Sequence, residues 1–506
     1  MNGASLGASL LVPTNTRTPY ARRGQGLSSG QHTTTDDSKF TMITSYVIYR
    51  HGSRGPKDST TVKMNQAARW LQSNTVNMIT KANRHRLQAF EEPWSDVVFK
   101  GYNQLNQIGM EEMTQLAVRY REHIARSMKE AALPAKGPLP DDTSATEWVF
   151  FHSSTSRTEQ SAAYFERAFR AGSASALDPE PLDYYSGIDE WDGLASSLLN
   201  LFDPISSDYD SSDGDSFDMH LENHPTDSDY RKDKRVRHLK PYAACNAWSD
   251  YVKSESTKQW VAKRWAVIDN RIRDSFSDLL QGIGLDPATL DVGRDLVPLY
   301  DLCSFSWAGS ETPPSICQLF TTKDLQLLEY RDDIENYVNY SHGDEYLPNS
   351  VIPQINHRLA WPLLNYLYES MKRVAKEHQE QLQNPLPEKP VEPRGTFYFA
   401  HARLIMLLLT TLNLYKDDVF SLVDPTEQQI LGRRFISSAI SPMAANIGFE
   451  LWYHESGSYH LRFTHNEQVV VPEYEACNAQ SGYCKFKELF KEIRNKYELN
   501  FDKSCY

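Results

Sequence analysis

Three short runs of bulky apolar residues stand out along the chain, and each breaks off abruptly into polar residues. "TMITSYVIY" (Thr41 to Tyr49) runs into Arg50-His51-Gly52-Ser53-Arg54, "EWVFFHSS" (Glu147 to Ser154) runs into Thr155-Ser156-Arg157, and "TFYFA" (Thr396 to Ala400) runs into His401. The runs are β-branched and aromatic without polar alternation, which predicts strands buried on both faces, as in a parallel sheet. Helical spacing follows each run. Apolar positions recur over about 63–74 and 103–131. They recur again in "SRTEQSAAYFERAF" (Ser156 to Phe169), with Thr155 or Ser156 as its cap, and in "HARLIMLLLTTL" (His401 to Leu412). Residues 240–385 read as largely helical, and "NPLPEKPVEPRG" (Asn384 to Gly395) as a proline-rich connector. "SYHLRFTHNEQVVVP" (Ser458 to Pro472) reads as strands with a hairpin before a terminal helix. The expected architecture is α/β: a parallel-type sheet flanked by helices, built discontinuously from 1–175 and 390–506, with a mainly helical insertion over 176–389.

Composition changes this picture little. The chain has 506 residues, 40% hydrophobic and 24% charged, in the range of ordinary globular proteins. Lys+Arg total 53 against 66 Asp+Glu, a net charge of −13, so nonspecific nucleic-acid binding is not expected. An anionic ligand would need positive charge gathered locally against that background. No apolar run reaches the roughly 20 residues of a membrane span, and the N-terminal "MNGASLGASLLVPTNTRT" lacks the basic region and cleavage site of a signal peptide. "SSDYDSSDGDSFD" (Ser206 to Asp218) reads as an acidic loop. The basic run "YRKDKRVRHLK" (Tyr230 to Lys240) reads either as a solvated helix face or as an outer ring around a polyanion.

Of six cysteines, Cys303 and Cys317 lie close in sequence, as do Cys477 and Cys484, while Cys245 and Cys505 are isolated. The close pairs fit either disulfides in an oxidising compartment or reduced thiols. Neither is a CxxC with histidines at zinc spacing, so no zinc site is expected. Asn339-Tyr340-Ser341 is a single glycosylation sequon.

The chemistry lies at the strand ends. Ligands of parallel α/β sheets sit outside the carboxyl ends of the strands, where this chain places Arg50, His51, Arg54, Arg157 and His401. Arginine binds phosphoryl oxygens as a bidentate fork and stays ionised. An imidazole nitrogen that attacks phosphorus splits hydrolysis into two easier steps through a phosphohistidine. Gly52 lets backbone pass close to a ligand and Pro56 stiffens the turn.

"RHGSRGP" (Arg50 to Pro56) fits the RHGxRxP signature, so the chain resembles the branch-two histidine phosphatases, the acid phosphatases and phytases. "SSTSRTEQSAAYF" is similar to that family's second arginine-bearing segment. "LCSFSWAGSETPPSICQLF", "FYFAHARLIMLLLTTLNLYKD" and "NTRTPY" resemble the multiple inositol polyphosphate phosphatases within it. The resemblance implies His51 as nucleophile, with Arg50, Arg54, Arg157 and His401 holding phosphate. It also implies an α/β fold with a helical insertion, a phosphorylated small molecule as partner, no metal or other cofactor, and a secretory or extracellular location. One position departs. The family's proton donor follows the second histidine, as His-Asp or His-Ala-Glu, and here the order is His401-Ala402-Arg403. A guanidinium is a poor general acid. Arg403 reads as an added phosphate clamp, as a residue turned to solvent, or as a mark of lost activity. Asp417 and Asp418, the next carboxylates, would stand roughly 20 Å away if the helix continued. His152 reads as packed rather than catalytic.

Overall fold

A computed structural model describes residues 37–75, 78–99, 103–128, 147–174, 234–310, 312–347, 355–384, 393–497 and 500–505. Residues 1–36, the acidic 206–218 stretch and most of the proline-rich connector lie outside these residues. The strands are β1 (Phe40–Arg50), β2 (Trp148–His152), β3 (Gly395–Ala400), β4 (Asn446–His454), β5 (Tyr459–His465), β6 (Gln468–Val470), β7 (Cys477–Asn478) and β8 (Tyr483–Lys485). The helices that matter below are α1 (Asp58–Thr75), α2 (Gln107–Ser127), α3 (Ser156–Ala171), α4 (Lys234–Leu239), α5 (Glu255–Gly282), α6 (Val297–Ala308), α7 (Thr322–Tyr340), α8 (Ile355–Leu359), α9 (Trp361–Gln383), α10 (Ala402–Thr411), α11 (Phe486–Lys496) and α12 (Phe501–Cys505).

The sheet is mixed, in the order β2-β3-β1-β4-β5-β8-β7, with β6 added to β5. β2, β3 and β1 run parallel. β4, β5 and β8 continue the sheet antiparallel, and β4 and β5 are joined by a tight turn at Gly457 (φ +93°). The parallel-type expectation therefore holds for the three strands whose ends carry the polar motifs, and the C-terminal strands turn back on it. The absence of polar alternation in β1 follows from burial on both faces. Val47 and Tyr49 join Phe150, Phe397 and Phe399 under α2 and α3. Tyr46 and Ile48 join Tyr398 and Ala400 under α9 and α10. The described residues between 234 and 383 contain helices and no strand, and their apolar residues are continuous with this second face.

All six cysteines pair: Cys303–Cys317, Cys477–Cys484 across β7 and β8, and Cys245–Cys505 across 260 residues of sequence. Asn339 is 4% exposed inside α7, so the sequon is closed to modification in the folded chain. α10 stops at Thr411. Asn413 and Tyr415 take left-handed φ, so the helix does not carry on toward Asp417. Asp417 instead accepts from the backbone N–H groups of Val419 and Phe435, 3.1 Å each, and fixes a loop. No helix among the described residues is long and apolar enough to cross a membrane.

Candidate active site

Register places three polar turns side by side. Arg50 pairs with Ala400 across β1 and β3, and His152 pairs with Phe399 across β2 and β3, so His51, Ser153 and His401 leave the sheet at one level. The ladder extends one residue past the strands: His51 N–H donates to Ala400 O at 3.2 Å and Ser153 N–H to Phe399 O at 3.0 Å. The His51 and His401 rings stand 5.7 Å apart, nearly perpendicular. Arg157, in the first turn of α3, donates from Nη2 to His401 Nδ1 at 3.4 Å. Arg50 Nη1 donates to Ser441 O at 2.5 Å, and Arg54 Nη1 to Gly55 O at 2.7 Å with its guanidinium 5.7 Å from the Phe305 ring.

The turn after β1 is clamped against α2. A Cβ built on Gly109 would meet Ser53 O at 2.1 Å, and one on Gly52 would meet Gly109 O at 2.5 Å, so this backbone approach requires glycine on both sides. Ser53 N–H donates to the buried carboxylate of Glu112 at 2.7 Å, and Gly52 N–H to Ser161 Oγ at 3.1 Å. The cap of α3 is Thr155, whose hydroxyl bonds the Thr158 hydroxyl at 3.0 Å rather than a backbone N–H.

The hydrogen bonds assign the tautomers. Gly52 O can only accept, and it lies 2.9 Å from His51 Nδ1, so that nitrogen carries the proton and Nε2 is the lone pair. Burial, then the charges of Arg157, Arg50 and Arg54, hold the His51 imidazole well below the ordinary histidine range, which favours its neutral form. At His401 the arginine donates to Nδ1, leaving Nε2–H to donate to Ser153 Oγ at 3.0 Å. Burial, followed by Arg157, Lys240 and Arg403, keeps this ring neutral as well. Two buried donors in the cluster, Arg157 Nε and Ser53 Oγ, have no hydrogen-bond partner, although such groups are nearly always satisfied. Among the described residues no carboxylate comes within ion-pair distance of Arg157, Arg403, Lys57 or Lys240.

Several members escaped the sequence reading. Lys57 directly follows the RHGSRGP turn; burial, Arg157, Arg54 and Arg403 lower its pKa. Lys240, at the end of the basic run, is lowered to about 8 by burial and Arg157, and donates to Ser154 Oγ at 3.2 Å. The run is thus divided: Lys240 faces the site, whereas Arg237 pairs with Asp502 and lies over Phe501. Arg403 belongs to the cluster. Its guanidinium lies 5.3 Å from the Tyr242 ring and 5.0 Å from Tyr340, and its charge acts on His401 and Lys57. A cation in the first turn of α10 opposes the helix dipole, so the aromatic pair and the site keep it there. Glu335 of α7 lies close enough to Arg403 and Tyr340 for both to feel its charge. Burial raises its pKa against the opposing pull of Arg331 and Arg403, although the residue remains solvent-accessible. No local pattern in its acidic surroundings marks it out. His152 donates from Nδ1 to Ser153 O at 3.1 Å and is packed at the strand end. A separate cleft lined by Arg271, Asp274, Lys323 and Glu427 shares no lining residue with this site, and its charges are of both signs.

Buried imidazoles and several guanidinium groups thus stand together at the parallel strand ends of an α/β sheet. The family comparison is specific: residues 42–466 match the model of the histidine phosphatase superfamily (branch 2), and the chain belongs to that superfamily. It is 24% identical to multiple inositol polyphosphate phosphatase 1 of Dictyostelium discoideum over 307 residues, 52% of this chain and 45% of that protein. To the human protein of the same name it is 23% identical over 209 residues, 40% of this chain and 39% of that one. These matches thus span about half or less of the curated relatives' length. The fold is similar to the phytase from D. castellii (TM-score 0.62, 15% identity, 94% of this chain and 84% of that one). It is also similar to the apo form of Bifidobacterium longum multiple inositol polyphosphate phosphatase (TM-score 0.57, 15% identity, 96% and 97%).

Proposed function

We propose that this chain is a phosphomonoesterase acting through a phosphohistidine at His51 on inositol polyphosphates or similar multiply phosphorylated small molecules. The observation that carries the reading is the neutral His51 imidazole, its Nε2 lone pair set among Arg50, Arg54 and Arg157. In the reaction, Nε2 attacks phosphorus, the P–O bond to the leaving alcohol breaks, and its oxygen takes a proton. Water then attacks the phosphohistidine, the N–P bond breaks, and phosphate leaves. Arg50, Arg54, Arg157, His401 and Arg403 hold the phosphoryl oxygens, and Lys57 and Lys240 suit the further phosphates of a polyanion. Arg403 cannot give the proton. Glu335 is the carboxyl suited to do so: it is beside Arg403, accessible, and protonated to a higher pH than an ordinary carboxyl.

Leaving groups separate the roles. An aryl phosphate departs with little protonation, whereas an inositol phosphate needs it, and general acids are typically worth about 10²–10⁴-fold. Glu335→Gln is therefore expected to cut hydrolysis of inositol hexakisphosphate by about 10²-fold or more and to leave p-nitrophenyl phosphate within a few-fold. Equal losses on both substrates would remove Glu335 from the donor role. Arg403 in place of an acid also favours a second reading, a phosphate-binding pseudo-phosphatase. Phosphate binding without turnover of either substrate in the unaltered chain would establish it.

The electrostatics carry a separate expectation. His51 should titrate well below pH 6.5 by NMR of labelled imidazoles, and Arg157→Ala, by removing a nearby cation, should move that titration upward. A His51 titration at the ordinary histidine value in the unaltered chain would contradict the proposed site.

A further inference from the structure

We propose that His342, Glu345 and His357 form a binding site for one divalent transition-metal ion, with zinc the best fit, that ties the turn after α7 to α8. The proposal does not rest on the phosphatase reading. His342 Nδ1 and His357 Nε2 lie 3.2 Å apart, and Glu345 Oε1 is 3.6 Å from the first and 3.8 Å from the second. A point equidistant from three atoms with these separations lies about 2.1 Å from each, the length of zinc bonds to imidazole nitrogen and carboxylate oxygen.

The surroundings orient lone pairs toward that point. His342 Nε2 lies 3.1 Å from the carbonyl of Leu414, which only accepts, so Nε2 carries the proton and Nδ1 presents its lone pair to the cluster. A histidine that donates its second nitrogen to a backbone carbonyl is the usual support of a metal ligand. Both imidazoles are fully buried. His357 Nδ1 has no hydrogen-bond partner, so the orientation of this ring is set by what faces Nε2 and by Tyr497 packed 4.4 Å away. Lys416 occupies the other carboxylate oxygen, Oε2, and leaves Oε1 as a single donor. The charges of Lys416 and Lys496 oppose a cation here, so the site should be weaker than a cage of thiolates.

Without an ion, a proton on His357 Nε2 could bridge the two rings. That arrangement leaves Glu345 Oε1 3.6 Å and 3.8 Å from the two nitrogens, outside hydrogen-bond distance of either. Two nitrogens and one oxygen, with no sulfur, suit zinc and its first-row neighbours rather than magnesium or calcium. His342 and Glu345 share one face of a single 3₁₀ turn, and Asn356 beside His357 donates to Val338 O and Ser341 O at the end of α7. The ion would thus stiffen the segment that carries Tyr340 under Arg403.

The test uses the full chain without an affinity tag, stripped with chelator and titrated with Zn²⁺ alone. One zinc per chain is expected by elemental analysis, with a rise in thermal midpoint of at least about 3 °C when zinc is in large excess over its dissociation constant. Glu345→Gln, at a side chain 21% exposed, should keep the metal-free midpoint within a few degrees and lose most of the zinc-induced rise. Should that variant fail to fold, Co²⁺ bound to the unaltered chain decides: visible bands of a low-coordinate nitrogen and oxygen site support the proposal. No retained zinc and no midpoint shift in the unaltered chain would overturn it, as would an equal shift in Glu345→Gln and in His357→Gln.

Discussion

Asparagine in place of His51 is expected to remove turnover of aryl and inositol phosphates alike, by at least about four orders of magnitude, while inorganic phosphate still binds. Loss of a nucleophile ends covalent catalysis, and deletions of this kind cost on the order of 10⁶ where they have been dissected. Binding should survive because the neutral imidazole contributes no charge to the free site, and Arg50, Arg54 and Arg157 remain. The buried turn should tolerate the change, since the asparagine amide can still donate toward Gly52 O. The unaltered chain, quenched in alkali during turnover of labelled substrate, should yield an acid-labile phosphoryl adduct, and His51→Asn should yield none. A variant that retained one per cent of turnover, or an adduct at another residue, would remove His51 from the nucleophile role.

The second large effect concerns position 403. In a Glu335→Gln background, Arg403→Glu is expected to raise inositol hexakisphosphate hydrolysis by about 10²-fold or more, while p-nitrophenyl phosphate changes little. The substitution supplies a carboxyl two residues after His401, at the mouth of the same strand. In the otherwise unaltered chain the gain should be only a few-fold, because the proposed donor Glu335 is still in place. A gain of two orders there would instead show that the native site lacks a working acid. Absence of rescue would mean that side chains at 403 do not reach the leaving oxygen. The pH of the assay matters. Arg157 and Lys240 act on this corner of the site, so the new carboxyl would be held below the ordinary range and rescue should be greatest at acid pH.

His51 and Arg403 were both visible in the sequence, and the reason is local. An apolar run with no polar alternation can only be buried on both faces. A strand of that kind that ends on Arg-His-Gly-Ser-Arg must place those residues at the rim of a sheet. Arg157 and His401 could be assigned by the same logic applied to β2 and β3. The same local logic failed where the chain changes direction for tertiary reasons. α10 ends at Thr411, and Asp417 becomes a loop anchor. The basic run sends Lys240 inward and Arg237 toward α12. The hairpin read over Ser458 to Pro472 is present as β5 and β6, whereas the antiparallel pairing of β4 with β1 joins segments far apart in sequence.

Sequence by itself determined the three strand-to-polar turns, the histidine and arginines they carry, and the departure at Arg403. Each is written in one short segment whose burial and backbone preferences act over a few residues. Only the tertiary structure decided that Cys245 meets Cys505, that Glu112 clamps Ser53, that Phe305, Tyr242, Tyr340 and Glu335 surround the arginines, and that His342, Glu345 and His357 converge. Those contacts join residues whose own neighbourhoods carry no mark of the partner. They exist because α2 and the helices between 234 and 383 bury their apolar faces against opposite sides of the sheet. That burial is non-directional and summed over many side chains, so no single segment encodes which polar groups it will bring together.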